Sequence, residues 1–457
     1  MRRLFLVTSE MALLMLGGLV AAYIRFADDA SWQLFQRRGW MKLVMVTLVI
    51  QIAFYLFDLY DLPATRSYRR VVFNMLKAMG TATVVLTVLF YVVPALEHGR
   101  GVFLANLAVN FVIIAAWRTL VAWSAGHPQL GVRERVLILG SGNEAVELAR
   151  ATLERRNAGF HIVGFVDGKP ELVGKSLINP SVIGLTEDLP KLVELHGVDR
   201  IVVAEEDRRG NFPTEVLLNL SLSGRVAVEE SACYYERLTG KIATEMLRPS
   251  WLIFSRNTRY SNFTHHVRRI VNTALAAAGF VIALPIMLLV AIAVKLDSPG
   301  PVFYTQERVG KNGRRFKIIK FRSMSVGAEE GSGPVWAEKH DPRTTRVGRI
   351  IRKLRLDELP QFINILRGDM NFVGPRPERP VFVDQLTQII PYYSQRHLVK
   401  PGLTGWAQIK YPYGSSVEDA IEKLRFDLYY IKNYSLVLDA AIVFETIKTV
   451  LFGKGGR

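Results

Sequence analysis

The chain has 457 residues, half of them hydrophobic, and carries a formal charge of +17 at neutral pH. That length leaves room for two or three domains, and the basic excess favours phosphate-bearing partners: nucleotides, nucleic acid or an anionic membrane face. Cys233 is the single cysteine, which excludes an intramolecular disulfide and a cysteine-rich zinc site.

Four apolar blocks open the chain: Leu4–Phe26, Met41–Leu59, Val71–Val93 and Phe103–Trp123. Each is long enough to cross a hydrocarbon core of about 30 Å as a helix. Blocks of this kind beside basic flanks favour a membrane over nucleic acid, and no nucleic-acid partner is expected. Arg2, Arg3, Arg66, Arg69, Arg70, Arg133 and Arg135 mark the N-terminal side, the second loop and the exit. Arg37 and Arg38 in the first loop are offset by Asp28 and Asp29, and the third loop holds only Arg100 with Glu97. The positive-inside rule then places both ends of a four-helix bundle, residues 1–125, in the cytoplasm. Glu10, Lys77 and Arg118 fall within the blocks and are expected to pair or to snorkel.

Residues 132–230 read as a Rossmann-like domain. In Arg135–Asp167 a strand ends at Gly140-Ser141-Gly142, a helical pattern follows, and a second strand ends at Asp167. This is GxGxxA in its proper setting, and Gly140, Gly142 and Asp167 are the candidate nucleotide turn. A third strand is expected at Arg200–Ala204 and a fourth near Arg225–Glu229. No Tyr-x-x-x-Lys pair follows, and the same glycines serve a bare tight turn, so a bound NAD or other nucleotide is not expected. Residues 231–262 read as a linker whose aromatics, Tyr234, Tyr235, Trp251, Phe254 and Tyr260, pack against neighbouring structure.

The fifth apolar block, Val271–Val294, is interrupted by Pro285. His265, His266, Arg268 and Arg269 precede it and Lys295 follows. Basic flanks on both ends argue that both stay inside, and a proline removes one backbone donor and bends a helix. The block therefore reads as a re-entrant helix-break-helix over residues 271–294, with Pro285 as the membrane break.

Beyond it, Pro299–Met324 reads PGPVFYTQERVGKNGRRFKIIKFRSM, with two strands around the hairpin signal Asn312-Gly313. From Pro301 to Leu356 basic residues outnumber acidic ones 14 to 5, which suits phosphates or anionic headgroups. Arg352–Pro377, RKLRLDELPQFINILRGDMNFVGPRP, then sets the carboxylates Asp357 and Glu358 between Arg352, Lys353 and Arg355 on one side and Arg367 and Arg376 on the other. Taken alone, such a pair reads as a solvated salt-bridge helix. Inside a cationic pocket it suits metal-assisted chemistry on a phosphate, one carboxylate attacking or taking a proton while the other holds Mg²⁺. Spacing leaves open which does which. Gly374 permits unusual backbone angles, while Pro375 and Pro377 stiffen a loop that presents Arg376. Val399–Gln408, VKPGLTGWAQ, places Lys400, Thr404, Trp406 and Gln408 on a further loop, where Trp406 is expected to pack rather than to stack on a base. Ser435–Gly453 reads as an apolar helix that packs or lies at the interface.

The order and spacing of PGPVFYTQERVG, LDELPQ, GDMNFVGPRP and VKPGLTGWAQ resemble the bacterial sugar transferase family, the monotopic phosphoglycosyl transferases. The resemblance covers roughly Phe263–Gly453, and the whole chain is similar to the long-form members. It implies a membrane α-helical bundle, an α/β Rossmann-like domain, a linker and, over 263–457, an α+β monotopic phosphoglycosyl transferase domain with a re-entrant membrane helix. It further implies transfer of a hexose 1-phosphate from a UDP-sugar to undecaprenyl phosphate, with release of UMP, at the cytoplasmic face of a bacterial inner membrane. Asp357 would be the nucleophile and Glu358 the Mg²⁺ ligand beside it. Arg308, Lys320 and Arg322 match family positions and, with Arg352, Arg376 and Lys400, would meet the substrate phosphates or shape the site. Gly374, Pro375, Pro377, Thr404, Trp406 and Gln408 would shape its loops. A second copy of the chain and other polysaccharide-assembly proteins are candidate partners. One departure stands out: members often carry Ser-Pro at the membrane break, where this chain has Leu284-Pro285. Two other readings compete. A dinucleotide-dependent sugar-nucleotide enzyme needs the missing Tyr/Lys pair, and a non-enzymatic scaffold requires Asp357→Asn to be harmless.

Overall fold

The computed structural model describes residues 2–29, 39–60, 68–94, 100–126, 134–155, 159–205, 212–244, 262–328, 341–412, 414 and 416–451. Arg37, Arg38, Arg66, Glu97, Arg133, Trp251, Phe254 and Tyr260, on which part of the charge and linker reading rests, lie outside the described residues. The chain divides into two compact units, Met1–Arg135 with Arg155–His161, and Val136–Glu154 with Ile162–Arg457.

The first unit holds helices α1 (Arg2–Phe26), α2 (Gly39–Leu56), α3 (Tyr68–Val92) and α4 (Arg100–Gly126). Each contains a stretch long and apolar enough to cross a membrane. Leu14, Ile50, Phe54, Met75, Leu86 and Ile114 are fully buried between the helices. Large apolar side chains such as Ile52, Phe73, Val84 and Val112 face outward, a surface suited to hydrocarbon rather than water. Two of the three charges within the blocks meet: Arg118 donates to Glu10 at 2.9 Å and to the Leu59 carbonyl at 2.8 Å, both side chains buried. Lys77 lies over the Phe73 ring.

The second unit begins with a five-stranded sheet. Its elements are β1 (Glu134–Leu139), α5 (Asn143–Glu154), β2 (Phe160–Asp167), β3 (Val182–Leu185), α6 (Leu189–His196), β4 (Arg200–Val203), α7 (Thr214–Leu222) and β5 (Ala227–Glu230). The strand order is β3-β2-β1-β4-β5, and the pairs β1/β4, β2/β3 and β4/β5 are parallel. The order reverses between β1 and β4, where the Gly140 turn sits. Strand β3 is an addition to the sequence reading, so the strands expected third and fourth are the fourth and fifth. Four residues containing Gly184, just after Pro180, give no recognisable apolar run.

The segment expected to be a linker starts with α8 (Ser231–Thr239), followed by a strap that binds the rest of the unit. Helix α9 (Asn262–Asp297) is the fifth candidate membrane span. It runs unbroken through Pro285, where a break was expected; a missing N–H deletes one bond of the ladder and leaves the others in place. Ala276, Ala283, Met287, Val290 and Val294 face a core with Ile318, Phe321 and Phe362, while Ile282, Leu288, Leu289 and Leu296 are exposed.

Strands β6 (Phe303–Val309) and β7 (Arg315–Phe321) form an antiparallel hairpin, with Asn312 in the left-handed conformation that the Asn-Gly signal anticipates. Then follow α10 (Arg346–Lys353), a 3-10 turn at Leu356–Glu358, α11 (Gln361–Arg367), β8 (Asn371–Val373), α12 (Pro380–Ile389), a 3-10 turn at Tyr393–Leu398, β9 (Gly402–Thr404), α13 (Trp406–Lys410), α14 (Val417–Lys432) and α15 (Leu436–Leu451). Strands β8 and β9 are parallel partners. Helix α14 starts at a capping box between Ser416 and Asp419. The strap lies on α13 and α14. Trp406 Nε1 donates to the Gly240 carbonyl at 2.7 Å and Ile242 N to the Arg425 carbonyl at 3.0 Å, while Lys432 donates to Glu236 of α8 at 2.6 Å. Ile242 itself is buried among Val309, Val383, Leu386, Leu424 and Leu428.

Candidate active site

Asp357 and Glu358 sit on the short 3-10 turn rather than on the α-helix that the sequence pattern suggests. Arg355, just before them, adopts a left-handed backbone (φ 59°), which turns the chain sharply out of α10. Behind the turn, the fully buried Asn364 of α11 ties this helix to the hairpin. Its Oδ1 accepts from Ile319 N at 3.0 Å and its Nδ2 donates to the Lys317 carbonyl at 2.8 Å. That hook sets Lys320 of β7 against the carboxylates, and Lys320 Nζ reaches Glu358 Oε1 at 2.9 Å.

Arg376 arrives from the other side, donating to the same Glu358 oxygen at 2.8 Å and to Gln408 Oε1 at 3.0 Å. Arg355 lies 3.7 Å from Glu358 Oε2. Glu358 is thus clamped by cations, whereas among the described residues no hydrogen bond reaches the Asp357 carboxylate. Both acids are about nine-tenths buried. Burial alone would raise the Glu358 carboxyl, but Arg376, Lys320 and Arg355 outweigh it and hold it well below the ordinary range. Burial wins at Asp357 and pushes its carboxyl up, against the pull of Lys320. Two adjacent carboxylates are therefore driven apart by their surroundings, as sites that use them differently require.

The pair faces an open cavity of about 670 Å³. Seven basic residues line it (Arg308, Lys320, Arg322, Arg352, Arg355, Arg376 and Arg379) against three acidic ones (Asp357, Glu358 and Glu378), so it suits an anionic ligand. Its lining also includes the apolar or aromatic side chains of Pro301, Phe303, Tyr304, Val326 and Phe382. The sequence reading passed over Arg379 and Glu378 as lining residues and Asn364 as a buried hook. An asparagine in an apolar helical stretch was the available signal for the last.

Of the basic residues singled out from sequence, Lys320, Arg376, Arg352 and Arg308 reach the cavity with different loads. Arg352 donates to Thr344 Oγ1 at 3.1 Å, and Arg308 donates to the Pro377 carbonyl at 3.2 Å and to Gln306 at 2.6 Å. Arg322 is committed to structure: it is buried and donates to the Pro299 and Ser298 carbonyls, each at 2.7 Å, closing the exit of α9. Lys400 is not among the lining residues. Its Nζ donates to the Gly368 carbonyl at 2.6 Å and stitches a loop.

The stretch read as a loop from Lys400 to Gln408 is instead strand β9 and helix α13. Thr404 is buried and bonds Thr446 at 2.7 Å. Trp406 packs, stacked on Tyr429. Gly374 has no left-handed backbone; it is needed for close approach, since a Cβ there would lie 2.4 Å from the Lys400 carbonyl. Pro375 and Pro377 each offer a carbonyl to a donor, Gly402 N and Arg308 Nη1 respectively.

The candidate nucleotide turn is closely packed. Gly140 has φ +109°, and a Cβ there would lie 2.8 Å from the Ala204 carbonyl. The Gly142 carbonyl accepts the first bond of α5 from Val146 N, and Asp167 accepts from Ser141 Oγ and Lys169 N.

This geometry stands beside clear relatives. A family model described as bacterial sugar transferase matches residues 263–453, and one described as a CoA-binding domain matches residues 55–205. Over 84% of this chain and 83% of the other, the sequence is 30% identical to a UDP-galactose-lipid carrier transferase of Erwinia amylovora. The chain belongs to the bacterial sugar transferase family. This sugar transferase is also 46% identical, over 49% of its length, to a UDP-N-acetylgalactosamine-undecaprenyl-phosphate N-acetylgalactosaminephosphotransferase of Aeromonas hydrophila. It is 43% identical, over 42% of its length, to a UDP-glucose:undecaprenyl-phosphate glucose-1-phosphate transferase of Escherichia coli. Those two matches span 52% and 41% of the relatives' own lengths, about half of each.

Proposed function

We propose that this sugar transferase moves a hexose 1-phosphate from a UDP-sugar to undecaprenyl phosphate, releasing UMP, as the first membrane step of an exopolysaccharide, capsule or O-antigen pathway. The observation that carries the mechanism is the unequal pair: a clamped Glu358 beside an Asp357 that faces the cavity without a hydrogen bond among the described residues. An Asp357 oxygen attacks the phosphorus that bears the sugar. The bond from that phosphorus to the bridging oxygen breaks, and UMP leaves with the electron pair. A phosphate oxygen of the lipid then attacks the phosphosugar-aspartyl intermediate, freeing Asp357 and forming the polyprenyl diphosphate sugar. Splitting the transfer in this way predicts ping-pong kinetics. Arg376, Lys320 and Arg355 offset the charge that both anionic substrates bring.

Mg²⁺ fits this site. Glu358 Oε1 is occupied by Lys320 and Arg376, which leaves Oε2 and the Asp357 carboxylate as hard oxygen donors. Among the described residues no cluster of three or more acidic, histidine or cysteine ligands occurs. A small donor set suits an ion that takes its remaining ligands from water and substrate phosphates. When bound, Mg²⁺ supplies neutralisation of the diphosphate charge.

The apolar outer surface of the four-helix bundle and its basic flanks support an inner-membrane location with the catalytic domain on the cytoplasmic face. There α9 acts as a re-entrant helix that bends at Pro285 and brings the cavity to headgroup depth. The competing arrangement is a full crossing, for which its 36 residues are long enough. Topology reporters at residue 1, Gly131 and Arg457 should all map to the cytoplasm; a periplasmic signal at Arg457 alone means that α9 spans. The α/β domain, whose Gly140 backbone lies close against the Ala204 carbonyl, serves as a structural or regulatory module.

The deciding experiment is UMP release by purified protein with undecaprenyl phosphate and a panel of UDP-glucose, UDP-galactose and their N-acetylated forms. One sugar should support turnover, and Asp357→Asn should abolish it. A wild type inactive on the whole panel, or an active Asp357→Asn, overturns the proposal.

A further inference from the structure

Arg376 clamps Glu358, and its own backbone is held at every step. Four successive carbonyls of its loop each accept a hydrogen bond: Pro375 from Gly402 N at 3.0 Å, Arg376 from Arg396 Nη2 at 3.1 Å, Pro377 from Arg308 Nη1 at 3.2 Å and Glu378 from Val309 N at 3.0 Å. Two of the donors are guanidinium groups. Arg308 lines the cavity; Arg396 does not.

Arg396 is 5% exposed and lies behind the loop. Besides the Arg376 carbonyl, it donates to Asp427 Oδ2 at 2.8 Å and to the Tyr393 hydroxyl at 2.7 Å. Asp427, on α14, is 1% exposed, and Tyr393 is 2% exposed. A planar fork with fixed donors can serve three acceptors at once, which a lysine ammonium on a flexible stem cannot do in the same geometry. A buried ion pair is weak evidence for stability, because apolar side chains of similar volume often do as well. What an apolar replacement could not do is hold the Arg376 carbonyl.

We infer that Arg396, fixed by Asp427 and Tyr393, is a positioning residue that aims Arg376 at Glu358 and the substrate phosphates. It touches neither substrate nor the Asp357 and Glu358 carboxylates and acts only through Arg376. The inference rests on the transfer reaction proposed above, and the two fail separately.

The test is a double-mutant cycle on the full chain in detergent or nanodiscs, read as UMP release. Arg396→Lys keeps the charge opposite Asp427 but loses the fork, and turnover should fall roughly 10- to 100-fold, as for a catalytic group misplaced by about 1 Å. In the background of Arg376→Gln the same change should cost nothing further. Arg396→Lys should also shift the KM for UDP-sugar in the same direction as Arg376→Gln does; general weakening of the fold lowers the active fraction and leaves KM in place. If Arg396→Lys does not fold, Tyr393→Phe removes one anchor at constant shape, and its smaller loss should show the same non-additivity. Losses that multiply in the double variant, or full turnover in Arg396→Lys and Tyr393→Phe, overturn the positioning role. A wild type that releases no UMP from any UDP-sugar overturns the reaction instead.

Discussion

Replacing Lys320 by methionine keeps most of the side-chain volume and removes one charge. Its ammonium lies 2.9 Å from Glu358 Oε1 and is the strongest influence opposing the effect of burial on Asp357. A neighbouring opposite charge moves a carboxyl by about 1 to 3 pH units. Lys320 bonds Glu358 rather than Asp357 and Arg376 remains in the variant, so the lower part of that range applies, about 1 to 2 units. The direction is upward. Asp357 is already raised by burial, and without Lys320 it ionises only at still higher pH, so the nucleophile is depleted on the acid side and recovers as pH rises. Single-turnover UMP release without lipid acceptor, followed from about pH 5 to 9, should show the acid limb displaced upward by that amount. Lys320→Arg should leave the limb near its wild-type position. A Lys320→Met profile lowered equally at every pH, with the limb unmoved, refutes this account and makes Lys320 a phosphate contact instead.

Three further outcomes are expected. Asp357→Asn should release no UMP even at high Mg²⁺, whereas Glu358→Gln should regain some activity as Mg²⁺ rises; with UDP-sugar alone the wild type should trap at most one sugar phosphate per site, on the Asp357 peptide. Recovery of that label on Glu358 would reverse the two roles. Asn364→Ala should lower stability by about 2 to 4 kcal/mol, because it strands polar groups of Lys317, Ile319 and Asp369, and a melting curve in detergent reads the loss. Burial, with a smaller contribution from Arg396, holds the His397 imidazole down at about 4. Below the ordinary histidine value the unfolded chain gains a proton that the folded chain refuses, so stability should fall between about pH 6.5 and pH 4 and then level off, by at most about 3 kcal/mol. His397→Gln should flatten that part of the stability profile.

How much of the site could be read from sequence depended on whether a residue acts locally. The Asp357-Glu358 pair, Lys320 and Arg376 stand in recognisable strings, and the structure brings all four together. The Asn-Gly hairpin and the first two strands of the α/β domain follow from turn chemistry and alternation over a few residues. Lys400 shows the limit: its motif suggested a phosphate contact, but a long flexible side chain goes to the nearest strong acceptor, here the Gly368 carbonyl. Arg322 likewise turns its charge to the exit of α9. Asn364 and Arg396 matter through contacts tens of residues away, with β7 and with the Arg376 loop, and no local spacing encodes those. Strand β3 is too short for its alternation to register. At Pro285 the helix continues on both sides, because one missing N–H leaves the rest of the apolar ladder in place, so the strength of the bend is not legible from the residue alone.

The strap after α8 bears on where this protein can be cut. The family match begins at residue 263, yet Ile242 is inserted in the same core as Val309, Leu386 and Leu428, and Gly240 supplies the acceptor for Trp406. A fragment starting at residue 263 would open a hole beneath α14 and leave the Trp406 indole N–H unmatched, two steps along the chain from the glutamine that braces Arg376. A minimal catalytic piece of this chain that keeps these contacts therefore begins upstream of Ser231, carrying α8 as its own first helix.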